Sequence, residues 1–268
     1  MRFKQLHDGR PVPVLGLGTS AYGRDFDREL EAIRAALDLG YTHIDTAETY
    51  GGGEAERVIG EAIKGYDRSK LFITTKVARE HLRYEDVMRA IEGSLRRLQT
   101  DYVDMYLIHW PNLSIPLEET FRALNELVSQ GKVRYPGVSN FSREQMDEAF
   151  RLTDSILATN QVRYSLDYRE PETNGVLEYC QSHDVLLTAY TPIEHGRLSN
   201  SPRLAELARD KGCTPVQLAL AWLITKDHVI TIPQSKERAH LEENLGALDV
   251  ELVGDDMARL DRLAFSHV

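Results

Sequence analysis

Short runs of buried-strand character recur along the chain, at residues 14–17, 43–46, 71–76, 103–109, 133–138, 157–162, 185–190 and 229–233. Each has a length that suits a strand covered on both faces. Between most of them the apolar positions shift to helical spacing. Leu30, Ile33 and Leu37 fall on one face, as do Val87, Ile91, Leu95 and Leu98. Ser142 with Gln145 and Thr214 with Gln217 match the capping box, Pro215 suits a first helical turn, and Gly40 suits a helix end. A parallel strand can be reached only by a crossover, so eight strand–helix alternations predict a parallel sheet. The expected fold is α/β, a (β/α)8 TIM barrel filling 1–268 as one domain. Ahead of it, segments 3–6 and 11–14 flank Asp8-Gly9, a tight-turn dipeptide, and predict an N-terminal β-hairpin. Pro136 lies inside a predicted strand, where it has no N–H to donate, and predicts a local irregularity.

In a barrel the C-terminal strand ends carry the chemistry, and here they are polar. Strand two ends in Asp45 with Tyr50 five residues on, strand three in Lys76, strand four in His109, strand five in Ser139 and Asn140, strand six in Gln161. Asp45 to Lys76 is 31 residues, Lys76 to His109 is 33 and His109 to Asn140 is 31, each about one β/α unit. That spacing gathers them at one mouth. A phenol titrates near pH 10, too high for easy proton exchange at neutrality. An adjacent ammonium lowers that value, and a carboxylate beside the ammonium keeps it charged and in place. Tyr50 is then expected to exchange a proton with a carbonyl or alcohol oxygen that His109 holds by a hydrogen bond. No side chain supplies hydride, so this acid calls for a cofactor.

The stretches GLGT (16–19), HIDTAETYGGGE (43–54), ITTKV (73–77), LIHWP (107–111), GVSNF (137–141), NQV (160–162) and IPQS (232–235) resemble, in order, the signatures of the aldo-keto reductase family. The resemblance spans nearly the whole chain. It implies a catalytic tetrad of Asp45, Tyr50, Lys76 and His109, reducing a small carbonyl compound with a nicotinamide cofactor. Ser139, Asn140 and Gln161 would hold the carboxamide and Tyr190 would stack on its ring. Thr191 to Leu198, with Ile193, resembles a loop that crosses the pyrophosphate. Gly18, Thr19, Asp45, Ile232 and Gln234 count among the cofactor contacts. Ser235, Lys236, Arg238, Glu243 and Asn244 would surround the adenosine end, and Tyr22 and Trp110 would wall the substrate pocket. Gln234 stands where the family often has Lys, and His240 where it has Arg. NADP(H) is therefore expected by a reduced margin, with NAD(H) open as a second cofactor. The extended C-terminal tail of many members is not expected, the sequence ending at Val268.

Hydrophobic residues at 42% and charged residues at 28% match an ordinary globular protein. A net charge of −10 argues against a nucleic-acid partner. Two cysteines are too few for a disulfide framework, and no apolar run is long enough for a signal peptide or a membrane span, so a cytoplasmic protein is expected. A monomer is expected, although no sequence feature fixes the oligomeric state. Three rival readings stand beside the reductase. Gly16, Gly18 and Ala21 match GxGxxA and could open a Rossmann fold, although no helix start follows directly. His43, Asp45 and His109 could ligate a metal, a reading that leaves Tyr50 and Lys76 idle, and His43 reads better as a packed barrel residue. The third is a cofactor-binding regulatory or sensor subunit with little turnover.

Overall fold

A computed structural model describes residues 1–263. Strands β1 (Phe3–Gln5) and β2 (Pro11–Pro13) pair antiparallel around Gly9, whose φ of 82° suits the turn. This is the expected hairpin. Next come β3 (Leu17–Gly18), α1 (Phe26–Asp38), β4 (His43–Asp45), α2 (Glu54–Ala62), β5 (Phe72–Val77), α3 (Tyr84–Leu98), β6 (Val103–Ile108) and α4 (Leu117–Ser129). The second half holds β7 (Val133–Ser139), α5 (Arg143–Leu152), β8 (Thr159–Arg163), α6 (Glu170–Thr173), α7 (Val176–Ser182), β9 (Leu186–Tyr190), α8 (Pro202–Asp210), α9 (Pro215–Thr225), β10 (Val229–Thr231), α10 (Arg238–Leu245) and α11 (Gly254–Asp261).

Strands β3 to β10 run parallel in sequence order. The ends of that sheet meet through a bridge between Leu15 and Thr231, with Gly16 N donating to Thr231 O at 2.9 Å and Gly18 N to Pro233 O at 3.1 Å. A curled eight-stranded parallel sheet with helices between its strands is the TIM-barrel arrangement. The first barrel strand is shorter than the expected 14–17: ladder pairing covers Leu17–Gly18, and Leu15 joins the sheet only through its bridge to Thr231. A Cβ on Gly18 would lie 2.6 Å from the carbonyl oxygen of Ile232.

The helix faces read from periodicity are the buried ones, with Ile33, Val87, Ile91 and Leu98 each inaccessible. Both capping boxes form. Gly40 takes a φ of 96° after α1. Pro136 sits in β7 with its carbonyl accepting from Ala158 N on the β8 side, so its missing N–H faces β8. The irregularity appears there: the β7–β8 register is reduced to Val138 with Asn160 and Ser139 with Gln161. Among the described residues no helix is long and apolar enough to cross a membrane. The sequence end at 264–268, on which the expectation about a tail falls, lies outside the described residues.

Candidate active site

The loops after the strands surround a cleft of about 630 Å³. Beneath its floor, Lys76 is fully buried on β5 and spends its three N–H protons on Asp45 Oδ1 at 2.6 Å, Thr46 O at 2.7 Å and the Tyr50 hydroxyl oxygen at 3.3 Å. Asp45 ends β4, and its second oxygen accepts from Gln161 Nε2 at 2.7 Å. Tyr50 begins a 3-10 turn, Tyr50–Gly53, in which Gly51 and Gly52 adopt left-handed backbone. Gly51 packs directly on Gly23, since a Cβ on Gly51 would lie 2.6 Å from the Gly23 Cα. That close approach seats the loop carrying Tyr50 against the loop that follows β3.

Because Tyr50 Oη accepts the Lys76 proton, its own proton is free for a group in the cleft. Burial raises the Tyr50 pKa above its ordinary value, and the neighbouring Lys76 ammonium only partly offsets this. The expected net lowering is corrected here: burial outweighs the cation. Lys76 is pushed down by burial, yet Asp45 and Tyr50 together carry it above its ordinary value, so it stays charged. His109 follows β6 and packs edge-on against the Tyr50 ring, with centroids 5.5 Å apart. Burial, then the Lys76 charge, pulls its pKa to about 4. The ring is neutral near pH 7, and its Nδ1 lies 3.3 Å from Thr49 Oγ1, leaving Nε2 for a ligand.

Beside this group, Asn140 takes a φ of 61°, tolerated by its short polar side chain. Its Nδ2 donates to Ser139 Oγ at 3.0 Å and to His109 O at 3.2 Å, while its Oδ1 accepts from the Tyr190 hydroxyl at 3.0 Å. Ser139 Oγ donates to Gln161 O at 2.8 Å. Polar groups at the ends of β6 to β9 are thus cross-linked to one another. Thr191, Glu194, His195 and Gly196 all have positive φ in the segment after β9. It is held by the buried Glu194, which accepts from Arg163 and from Ser165 Oγ at 2.8 Å.

Of the residues expected at the site, Gly18, Thr19, Asp45, Tyr50, His109, Trp110, Ser139, Asn140, Gln161, Tyr190, Thr191, Ile193, Ile232, Gln234, Glu243 and Asn244 line the cleft. Six others are not brought to its wall. Lys76 lies behind Tyr50. Leu198 is buried in the core. Tyr22 is 1% exposed and donates to Ser235 O at 2.7 Å, so it underlies the 234–237 turn and cannot wall a substrate pocket. Ser235 Oγ accepts from Glu237 N at 3.0 Å. Lys236 pairs with the buried Glu29 at 2.6 Å, and Arg238 pairs with Glu242 at 3.0 Å on its own helix.

Pro192, His195 and Gly196, inside the expected 191–198 loop, and His240, expected near the 2′-phosphate, also line the cleft, while sequence reasoning missed Ser20, Ala21, Ser199 and Val216 as lining residues. Ser20, Ala21 and Ser199 adjoin segments already identified. Val216, at the start of α9, carries no local signal. His43 is buried on β4, bonded through Nε2 to Thr74 Oγ1 at 3.1 Å and covered by Gly16, as a packed residue would be. Among the described residues no three metal-ligating side chains are arranged to hold an ion.

Comparison with known proteins bears on the same segments. The profile described as Aldo/keto reductase family matches residues 14–264. A methylglyoxal reductase of Escherichia coli (strain K12) is 40% identical over 260 residues, covering 94% of this chain and 90% of that protein. A glyoxal reductase of Bacillus subtilis (strain 168) is 35% identical over 261 residues, with coverages of 97% and 91%. A thermostable aldo-keto reductase solved with the inhibitor epalrestat superposes with a TM-score of 0.94 at 46% identity, covering 97% of this chain and 99% of that one. An aldo/keto reductase from Klebsiella pneumoniae, solved with NADP and acetate, gives a TM-score of 0.91 at 41% identity, with coverages of 97% and 94%. Matched by that profile over nearly its whole length, and sharing its barrel with these proteins, the chain belongs to the aldo/keto reductase family.

Proposed function

We propose that this chain is an NADPH-dependent carbonyl reductase that converts small aldehydes and ketones to alcohols, with α-oxoaldehydes of the methylglyoxal and glyoxal type as first candidates. The observation that carries the reading is the chain from Asp45 through Lys76 to Tyr50, at 2.6 and 3.3 Å, beside a neutral imidazole in an open cleft. A sensor subunit would need cofactor contacts but no buried ammonium aimed at a phenol.

The polar groups fit a nicotinamide carboxamide. Gln161 commits its amide nitrogen to Asp45 and so offers its carbonyl oxygen as an acceptor, and Ser139 and Asn140 stand beside it. Tyr190 is tethered through its hydroxyl to Asn140, which fixes its ring as a wall on which a planar group can stack. When bound, the reduced cofactor supplies the hydride that adds to the carbonyl carbon. His109 Nε2 is placed to donate a hydrogen bond to the carbonyl oxygen, without the charge that would repel Lys76. Tyr50 donates its hydroxyl proton to that oxygen, and Lys76 stabilises the phenolate that forms. Asp45 holds the ammonium in place. Trp110, 46% exposed at the mouth, offers an apolar wall.

The same reading takes the chain as one monomeric domain in the cytoplasm and, given its charge of −10, without a nucleic-acid partner. The test follows nicotinamide absorbance over a panel of small, aromatic and bulky carbonyl compounds. Turnover of several small or aromatic aldehydes with modest selectivity supports it. Cofactor that binds and is never oxidised favours the sensor subunit.

A further inference from the structure

The adenosine end of the cleft is walled by Gln234, His240, Glu243 and Asn244, and among the described residues no lysine or arginine lines the cleft at all. Yet lysine and arginine are plentiful just outside it. Arg28 pairs with Glu237 and Arg238 with Glu242. Lys236, two residues beyond Gln234, is turned away: its Nζ donates to Glu29 Oε1 at 2.6 Å and to Ala21 O at 2.9 Å, and lies 5.0 Å from the centre of the Tyr22 ring. Glu29 sits fully buried in the first turn of α1 and also accepts from Gly23 N at 2.7 Å. A carboxylate in that position has little freedom to release its partner, and the pair is much less screened than a surface one.

We propose that Glu29 is a positioning residue that sets cofactor specificity: by holding Lys236 it keeps a free cation from the adenosine end and weakens discrimination between NADPH and NADH. The inference rests on the functional reading above and concerns only the 2′-phosphate. That group is a dianion that an ammonium recognises as a point charge.

The experiment measures dissociation constants of NADPH and NADH at fixed low salt, by quenching of protein fluorescence, for the wild type, Glu29→Gln, Lys236→Met and the double variant. The amide that Glu29→Gln introduces keeps a carbonyl oxygen for Gly23 N but no charge for Lys236. Expected for Glu29→Gln is NADPH binding tighter by about five- to tenfold with NADH within about twofold, the size of one charge-assisted contact at a partly exposed site. Lys236→Met leaves the NADPH-to-NADH ratio within about twofold of wild type, and the double variant loses the gain. A Glu29→Gln protein whose two affinities move together, or not at all, overturns the inference. So does a Lys236→Met ratio that falls several-fold, since Lys236 would then already hold the phosphate, and this arm decides the matter even if Glu29→Gln does not fold. A wild type that binds neither dinucleotide overturns the functional reading with it.

Discussion

Burial of His43 makes the stability of this barrel sensitive to mild acid. The ring is fully buried between Gly16, Thr74 and Phe72, and burial lowers its pKa from 6.5 to about 4 against the pull of Asp45. A histidine whose folded value is depressed contributes stability above its unfolded value and loses it as pH falls toward the folded one, because the unfolded chain takes the proton first. The window therefore runs from about pH 6.5 down to about 4. At roughly 1.36 kcal/mol per tenfold in proton affinity, the whole loss is about 3 kcal/mol, of which about 2 kcal/mol is gone by pH 5. His109 shifts in the same direction and adds to the wild-type trend. Comparison with His43→Gln isolates the single ring, since the variant keeps His109. Urea unfolding of both proteins at half-unit steps from about pH 7.5 to 4.5 gives the assay. The variant is less stable near pH 7, having lost packing under Gly16, and the gap between the curves closes by about 2 kcal/mol at pH 5. Parallel curves would refute the reasoning, because they would mean that His43 titrates alike in the folded and unfolded chain.

Lys76→Met removes the cation that opposes burial at Tyr50, so the pH profile of alcohol oxidation shifts upward while cofactor affinity stays within about twofold; an unshifted profile shows that Lys76 does not tune the phenol. Gly18→Ala drives a methyl group against the Ile232 carbonyl, where β3 meets β10. A cost of about 1–3 kcal/mol is expected, read as a fall in Tm of several degrees together with weaker cofactor binding, and an unchanged Tm would mean that the barrel closure is looser than it looks.

How much of this was legible in the sequence depended on how local each signal was. The hairpin, eight strands and both capping boxes were written in periodicity and in residues three apart. The strand-end residues were legible because one β/α unit recurs at nearly constant length, which carries Asp45, Lys76, His109 and Asn140 to one mouth. What escaped was pairing between distant segments. Lys236 and Glu29 are 207 positions apart, so a lysine beside the IPQS motif looked free when it was not. Tyr22 is displaced for a similar reason, lying under a turn from the far end of the chain, whereas Arg238 is held by Glu242 four residues on, a local pair within the reach of helical spacing. The direction of the Tyr50 shift also escaped, because the ammonium could be read from spacing while the depth of burial could not.

The central claim is that Tyr50 gives the proton that accompanies hydride addition. Its most direct test is single-turnover reduction of a reactive small aldehyde by the NADPH-loaded enzyme, wild type against Tyr50→Phe, with NADPH affinity measured in parallel. The variant loses only the hydroxyl, so the account predicts NADPH binding within about twofold and a reduction rate lower by about 10² to 10⁴. A Tyr50→Phe protein that reduces the aldehyde at close to the wild-type rate, with the chemical step limiting, would contradict it.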